Sequence, residues 1–197
     1  MVRTVDPVRH QARRLVIIDA ALTCFARDGF DRTTTAAICR TAGIGSGTFF
    51  HYFPTKLGVL LATLELGAAE NREWFADRAG REDASAVIRE HVDHVAGEAA
   101  DPRTAGFVRA VGAMMSDPQV ALALEQEEAV VREGLLPLLA AAQRDGEVRD
   151  DVPATRLCAW VMVVLDGFIS RLAADHCFDA ADEREMLADT IGRLLAA

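Results

Sequence analysis

Residues 33–56 read TTTAAICRTAGIGSGTFFHYFPTK and carry the strongest local signals in the chain. The three threonines at 33–35 are candidate N-caps for a short helix, and Gly43 is the residue at which that helix should end. A second short helix is predicted over residues 46–52, because Pro54 cannot continue it. Two short helices joined by a tight turn are therefore expected here.

The turn between these helices has the composition of a helix-turn-helix. Ala42 is small enough to let two helices approach closely, and Gly43 tolerates the positive φ that such a turn requires. Ile44 follows directly and can pin the second helix to the first. Ile38 and Phe49 are expected to form the apolar seam behind the exposed faces.

The rest of the chain is also predicted to be helical, so the expected fold class is all-α. Ala, Leu, Arg and Glu dominate, all of them strong helix formers, and strand-like alternation is rare. Apolar spacing, glycines and prolines place the other helices at about 10–28, 56–78, 84–99, 103–115, 118–144, 152–175 and 181–197.

Charge is distributed unevenly along the chain. The formal net charge is −9, yet residues 1–60 sum to +4 and residues 61–197 to −13. A basic end on an acidic body suits a protein that presents one end to phosphates, although ordinary scatter could give the same balance.

No catalytic motif is present, so no catalytic residue, cofactor or enzyme activity is expected. The glycine-rich residues 43–47 follow a helix rather than a strand, which the turn explains better than phosphate binding. No metal site is expected, because the cysteines at 24, 39, 158 and 177 lack paired ligand spacing. The sequence has neither a long unbroken apolar run nor a secretory signal. We therefore expect no membrane span, and we expect a cytoplasmic location.

Taken in register, these residues resemble the DNA-binding domain of the tetracycline-repressor (TetR) family of transcriptional regulators. The resemblance implies an N-terminal three-helix DNA-binding domain over residues 1–55 and a larger helical ligand-binding and dimerisation domain over residues 56–197. The resemblance thus implies a DNA-binding transcriptional regulator, a homodimeric repressor that a small-molecule ligand releases from its operator. The matching positions are Gly29-Phe30, Thr33-Thr34, Ile38, Ala42-Gly43-Ile44, Gly47-Thr48-Phe49, Tyr52-Phe53 and Thr55-Lys56.

The resemblance also assigns roles in binding double-stranded operator DNA. The helix from Ser46 would enter the major groove, with Tyr52 reaching a phosphate or a thymine methyl group. Lys56, the only lysine in the chain, would bind a phosphate as a point charge. The assigned residues are Thr34, Thr35, Gly45, Ser46, Gly47, Thr48, Phe50, His51, Tyr52 and Lys56.

Two of these positions depart from the family pattern. Gly45 replaces the usual Ser or Thr N-cap, which costs little, because glycine caps almost as well. Phe50 replaces the usual Tyr and removes a hydroxyl that would bond a phosphate, a loss of about 1 kcal/mol. Phe50 would favour apolar contact with a thymine methyl instead.

In the body, the resemblance implies a homodimer formed through the helices at 152–175 and 181–197 and a pocket for a small hydrophobic or aromatic effector. An anionic group on the effector could be held by Arg109 or a histidine. Each pocket candidate could equally be a core or surface residue, and a regulator without any effector, or a helical scaffold or enzyme, stays possible. The candidates are Trp74, Phe75, His91, His94, Phe107, Arg109, Met114, Trp160 and Phe168.

Overall fold

A computed structural model describes residues 7–196 of the chain. Within that range the regular structure consists of helices with no strand, which confirms the all-α prediction. The predicted helices are all found, with ends displaced by a few residues. They are α1 (Pro7–Arg32), α2 (Thr35–Ala42), α3 (Ser46–Tyr52), α4 (Lys56–Ala76), α5 (Ala84–Ala99), α6 (Thr104–Gly112), α7 (Pro118–Arg144), α8 (Ala154–Ala174) and α9 (Arg184–Leu195).

The displaced ends have local causes. Helical conformation in α1 breaks at Gly29, where φ is 76°, and one further turn follows. The last helix begins three residues later than Ala181, its predicted start. The carboxylate of Asp179 accepts a hydrogen bond from the N–H of Ala181 at 2.8 Å and holds this segment in a turn.

Two clusters of buried apolar side chains form the interior. The first joins α1–α3 to the first half of α4, and it includes Ala110 and Val111 from α6 and Val120 from α7. The second joins α5, α7, α8 and α9, with Phe75 of α4 packed against it. We refer to α1–α3 as the N-terminal domain and to α5–α9 as the body. Since α4 packs into both clusters, the predicted boundary between residues 55 and 56 stays a prediction.

Helix α6 fixes the body against α1. A Cβ atom placed on Gly106 would lie 2.0 Å from the carbonyl oxygen of Ala26, so the two backbones touch. Arg103, just before α6, donates to Asp19 at 2.7 Å and to Thr23 at 3.2 Å, both on α1. The opposite side of α6 packs on α8. The N-terminal domain and the body are thus in direct contact through α6, beside the packing of Val120 from α7.

Helix α8 is the one described helix whose length and composition alone would allow it to cross a membrane. No membrane span was predicted from the sequence, because it has no long unbroken apolar run. In the structure, α8 packs against α6, α7 and α9 and supplies seven buried residues to the second cluster. Its apolar composition is that of a core helix with a second, outward apolar face.

The interior also encloses an ionisable side chain, His91 on α5. Its exposed fraction is 0%, and neither ring nitrogen has a hydrogen-bond partner within the described residues. Burial lowers the pKa of His91 from 6.5 to about 4, and the nearby charges of His94 and Arg78 act in the same direction. The imidazole is therefore neutral at pH 7.

Substitution of Gly106 by alanine is expected to destabilise the protein by about 2 kcal/mol, because the new methyl group overlaps the backbone of α1. The matched control is Gly112→Ala in the same helix, where a Cβ meets nothing within 4 Å. The control should be neutral or slightly more stable than the wild type, because alanine favours helix. Urea unfolding measures both, and equal stability of the two variants would contradict the described contact.

Acid should destabilise the protein in part through His91. Because its folded pKa is lowered, its full contribution is present above pH 6.5 and is lost as the pH falls towards 4. Between pH 7 and pH 5 this amounts to about 2 kcal/mol in the free energy of unfolding. The variant His91→Leu cannot titrate here, so its urea midpoint should change less over that interval. The same pH dependence in both proteins would show that His91 is not buried.

Candidate nucleic-acid interface and effector region

The turn between α2 and α3 has the predicted geometry. Gly43 adopts the left-handed conformation (φ 62°, ψ 38°), and the N–H of Ile44 donates to the carbonyl of Cys39 at 3.0 Å. Gly45 is extended and caps α3 through its backbone carbonyl alone, which accepts from Thr48 and Phe49 at 3.0 and 3.1 Å. These backbone hydrogen bonds fix the turn between α2 and α3, and α3 begins without a side-chain cap.

The predicted DNA-binding residues lie on the surface of the N-terminal domain. Phe49 is fully buried and anchors α3, while its neighbour Phe50 leaves 53% of its surface exposed. Helix α3 therefore presents a polar face that also carries one large aromatic ring. The exposed residues of the predicted set are Thr34, Gly45, Ser46, Gly47, Thr48, Phe50 and His51, and the partly exposed ones are Thr35, Tyr52 and Lys56.

The threonines at the start of α2 have different environments. Thr33 is buried and donates to the carbonyl of Gly29 at 2.7 Å, which holds the end of α1. Thr34 is the N-cap of α2, and its hydroxyl oxygen accepts from the N–H of Ala37 at 3.1 Å. The hydroxyl hydrogen of Thr34 is not used by this bond, so it is free to donate to a phosphate.

Lys56 makes internal contacts that the sequence did not predict. Its Nζ donates to the carbonyl of Phe30 at 2.6 Å and to that of Asp31 at 3.4 Å, and it lies 4.1 Å from the centre of the Phe30 ring. Burial lowers the pKa of this amine, with Asp31 acting in the opposite direction. Lys56 thus joins the start of α4 to the end of α1, and one of its three N–H donors is unused.

His10 was not predicted from the sequence to belong to this surface. Its ring lies 4.5 Å from that of Tyr52 and 6.1 Å from that of His51. Helix α1 therefore brings a third nitrogen- or hydroxyl-bearing ring to the end of α3. Nothing in the local sequence could have shown this, because the contact joins residues more than 40 positions apart.

Four of the predicted effector residues form one aromatic cluster. The ring of Trp74 lies 5.1 Å from that of His91 and is stacked with that of His94 at 5.4 Å. The ring of Phe75 is 4.8 Å from that of His91 and rests on the bare backbone of Gly134 in α7. We call Trp74, Phe75, His91 and His94 the aromatic cluster.

The other five candidates lie elsewhere. Phe107 and Met114 pack against the first apolar cluster, beside the N-terminal domain. Arg109 donates to the carbonyl of Ala173 at the end of α8. Trp160 leaves half of its surface exposed on α8, and Phe168 packs on Phe178 at 5.5 Å. The structure thus brings four of the nine candidates into one cluster and leaves the other five outside it, and their roles in effector binding stay a prediction.

Carboxylates near the aromatic cluster were also missed. Burial raises the pKa of Glu127 on α7, and the charges of Asp166 and Glu98 raise it further. Burial likewise raises the pKa of Glu70 on α4, again with Glu98 adding to the shift. We call Glu70, Glu98, Glu127 and Asp166 the acidic rim. Because they come from four helices, only the tertiary structure brings their charges together.

A separate open cleft of about 380 Å³ lies between α4 and α7. It contains none of the predicted effector residues. Its lining is mixed in charge, since it includes Arg72 and two glutamates. The lining residues are Glu65, Ala68, Arg72, Ala123, Gln126, Ala129, Val130 and Glu133.

Comparison with known proteins agrees with this geometry. Residues 17–63 match the family described as bacterial regulatory proteins, tetR family. The chain is 30% identical to the HTH-type transcriptional repressor Rv1474c of Mycobacterium tuberculosis, over 83% of each chain. It is 32% identical to the HTH-type transcriptional repressor AcnR of Corynebacterium diphtheriae, over 82% of each.

Solved structures show the same fold at lower identity. The transcriptional regulator FadR of Bacillus subtilis, solved in complex with stearoyl-CoA, superposes on this chain with a TM-score of 0.74 at 16% sequence identity. The alignment covers 92% of this chain and 98% of that one. The two repressors are 30% and 32% identical to this chain over more than four fifths of its length. The chain therefore belongs to the tetR family, and it is a DNA-binding transcriptional regulator, not an enzyme.

Proposed function

We propose that the chain is a cytoplasmic homodimeric repressor that leaves its operator when a small molecule binds in the body. The observation that carries this proposal is the pair of exposed faces in two different parts of the molecule. One is the polar face of α3 with Phe50, and the other is the apolar outer face of α8 and α9. The first suits a DNA groove, and the second suits another copy of the chain.

At the DNA, the two kinds of contact are proposed to come from different elements. Thr34 and Thr35 at the start of α2 and Lys56 at the start of α4 would bind phosphates and set the position of the domain. Residues 45–48 would face the base edges in the major groove, as would the ring of Phe50. His51 and Tyr52, with His10 beside them, would contact the flanking backbone.

Dimerisation is proposed to use the outward side of the last two helices. Trp160 and Val163 on α8 leave 50% and 55% of their surfaces exposed, and Met186 on α9 leaves 61%. Large exposed apolar side chains on neighbouring helices are typical of protein interfaces. A dimer also places two copies of α3 in successive major grooves if they are about 34–36 Å apart.

Release is proposed to follow from a change in that spacing. An effector between α4, α5, α7 and α8 would have to bind more tightly when the two domains are wrongly spaced, since only differential affinity shifts an equilibrium. Two connections lead from that region to the N-terminal domain. They are the continuous helix α4 and the contact of α6 with α1 at Gly106.

Two substitutions should affect DNA binding in different ways. Phe50→Ala should reduce discrimination at one base pair of the operator by about 1–3 kcal/mol, because an apolar base contact is lost. Lys56→Met should weaken binding to all sequences alike, by about tenfold, and should lower its salt dependence. Site selection from random DNA and titration at two salt concentrations measure these effects.

The control for this pair is Arg89→Ala, which removes an exposed cation on α5 in the body. It should bind the operator as the wild type does. If Lys56→Met retained wild-type affinity and salt dependence, the amine would serve only to join α4 to α1. Unchanged sequence preference in Phe50→Ala would remove that ring from the base-reading face.

The oligomeric state should depend on α8. Trp160→Arg should convert the dimer into a folded monomer, because this half-exposed ring contributes little to the core of one chain. Light scattering after gel filtration should then report half the mass, and operator affinity should fall at least about a hundredfold. Met115→Arg, which alters a side chain that is 61% exposed between α6 and α7, should remain dimeric. A dimeric Trp160→Arg variant would place the interface elsewhere.

A further inference from the structure

Two histidines from different helices lie side by side at the end of α3. The ring centres of His10 on α1 and His51 on α3 are 6.1 Å apart. The ring of Tyr52 lies 4.5 Å from that of His10 and 5.2 Å from that of His51. His51 is exposed, and His10 and Tyr52 are partly exposed. We call His10 and His51 the histidine pair, and it belongs to the surface that carries the predicted DNA-binding residues.

The two imidazole groups have no polar partner in the part of the chain that the structure describes. Within residues 7–196, neither side chain makes a hydrogen bond or an ion pair, and the histidine that lies within ion-pair distance of a carboxylate is His94 on the body. A neutral imidazole offers one donor and one acceptor, whereas an imidazolium offers two donors and a positive charge. The ring nitrogens of the histidine pair are therefore available to a group outside the protein.

The surface around the histidine pair is basic. Its one carboxylate close along these helices is that of Glu65, which already pairs with Arg14 at 3.7 Å. No described carboxylate thus stabilises the imidazolium form of either ring, whereas a DNA phosphate would do so. The nearest charged groups along each neighbouring element are Arg9, Arg13 and Arg14 on α1, Arg40 on α2, and Lys56 and Glu65 on α4.

We propose that the histidine pair, in its protonated form, binds one phosphate group of the operator, so that DNA binding is coupled to the uptake of protons. This inference rests on the proposed function, because it adds a form of regulation to the same DNA-binding surface. Hydrogen bonds between a charged nitrogen and a charged oxygen are about 2.8 Å long, so one phosphate can reach both rings across their 6.1 Å separation. The ring of Tyr52 beside His10 also favours a positive charge there.

The direction of the coupling follows from linkage. Histidine is the side chain whose charge ordinarily changes between pH 5 and pH 8. A phosphate binds the imidazolium form more strongly than the neutral form, so the complex carries more protons than the free protein in this range. Operator affinity must then rise as the pH falls and decrease as the pH rises. The operator would consequently be occupied more fully in an acidified cell.

The other three histidines of the chain lie outside the DNA-binding surface. His91 is buried, and its pKa of about 4 keeps it neutral between pH 6 and pH 8. His94 stacks on Trp74, and His176 is exposed in the segment that follows α8. Because all three belong to the body, substitutions in the histidine pair isolate the proposed effect.

The test measures the affinity of the full-length protein for an operator fragment, obtained by site selection from random DNA, at pH 6 and pH 8. The wild type should bind about tenfold more tightly at pH 6. The slope of log affinity against log salt concentration should also be steeper by about one at pH 6, because one more phosphate is neutralised. Calorimetry in two buffers with different ionisation enthalpies should show that protons are taken up on binding.

Three variants separate proton coupling from a structural role. In the double variant His10→Gln, His51→Gln, the ratio of the affinities at pH 6 and pH 8 should fall from about ten to about one, whatever the affinity at pH 8. His10→Arg carries a permanent charge, so it should bind more tightly than the wild type at pH 8 and respond less to pH. The matched control His176→Gln should keep the wild-type ratio. Circular dichroism at both pH values checks that each variant is folded.

Equal wild-type affinity at pH 6 and pH 8, or a wild-type ratio in the double variant, would overturn the inference. So would a loss of affinity in the double variant that is the same at both pH values, because the pair would then only support the ring of Tyr52. Specific operator binding with no response to pH contradicts the proton coupling alone. Absence of specific binding at both pH values contradicts the proposed function, and the inference with it.

Discussion

The close approach of α6 to α1 is the contact on which the relation between the two parts of the molecule depends. It exists because Gly106 has no side chain and the backbone of Ala26 occupies that space. Arg103 adds an ion pair with Asp19 at the same junction, and Arg109 reaches the end of α8 from the other side of α6. Packed interfaces of this kind change between discrete arrangements rather than deforming smoothly, so a shift of α8 must either move α1 or break this contact.

Stability and function make opposite demands on the centre of the body. The second apolar cluster packs α5, α7, α8 and α9 in the usual way, yet His91 and Glu127 lie at its border without partners. Apolar residues at these two positions would give a more stable protein. Buried polar groups without partners are expected at positions where binding, rather than folding, determines which residue is present.

The sequence predicted what depends on neighbouring residues and failed where distant segments meet. The order of the helices followed from apolar spacing, and Gly43 specified a left-handed turn because the motif is contained in 24 consecutive residues. By contrast, the effector candidates were chosen by residue type, and only four of nine came together. The acidic rim escaped notice because its carboxylates are ordinary surface residues on each helix considered alone.

The contacts of Lys56 make the junction of α1 and α4 chemically unique. Because the chain has a single lysine, a protease specific for lysine has one cleavage site, and an amine-selective acylating reagent has one side-chain amine to modify. That amine lies on two carbonyls and above the Phe30 ring. Either reaction requires the amine to leave these contacts, so the rate of modification at this one site would report how often the junction of α1 and α4 opens, without any introduced label.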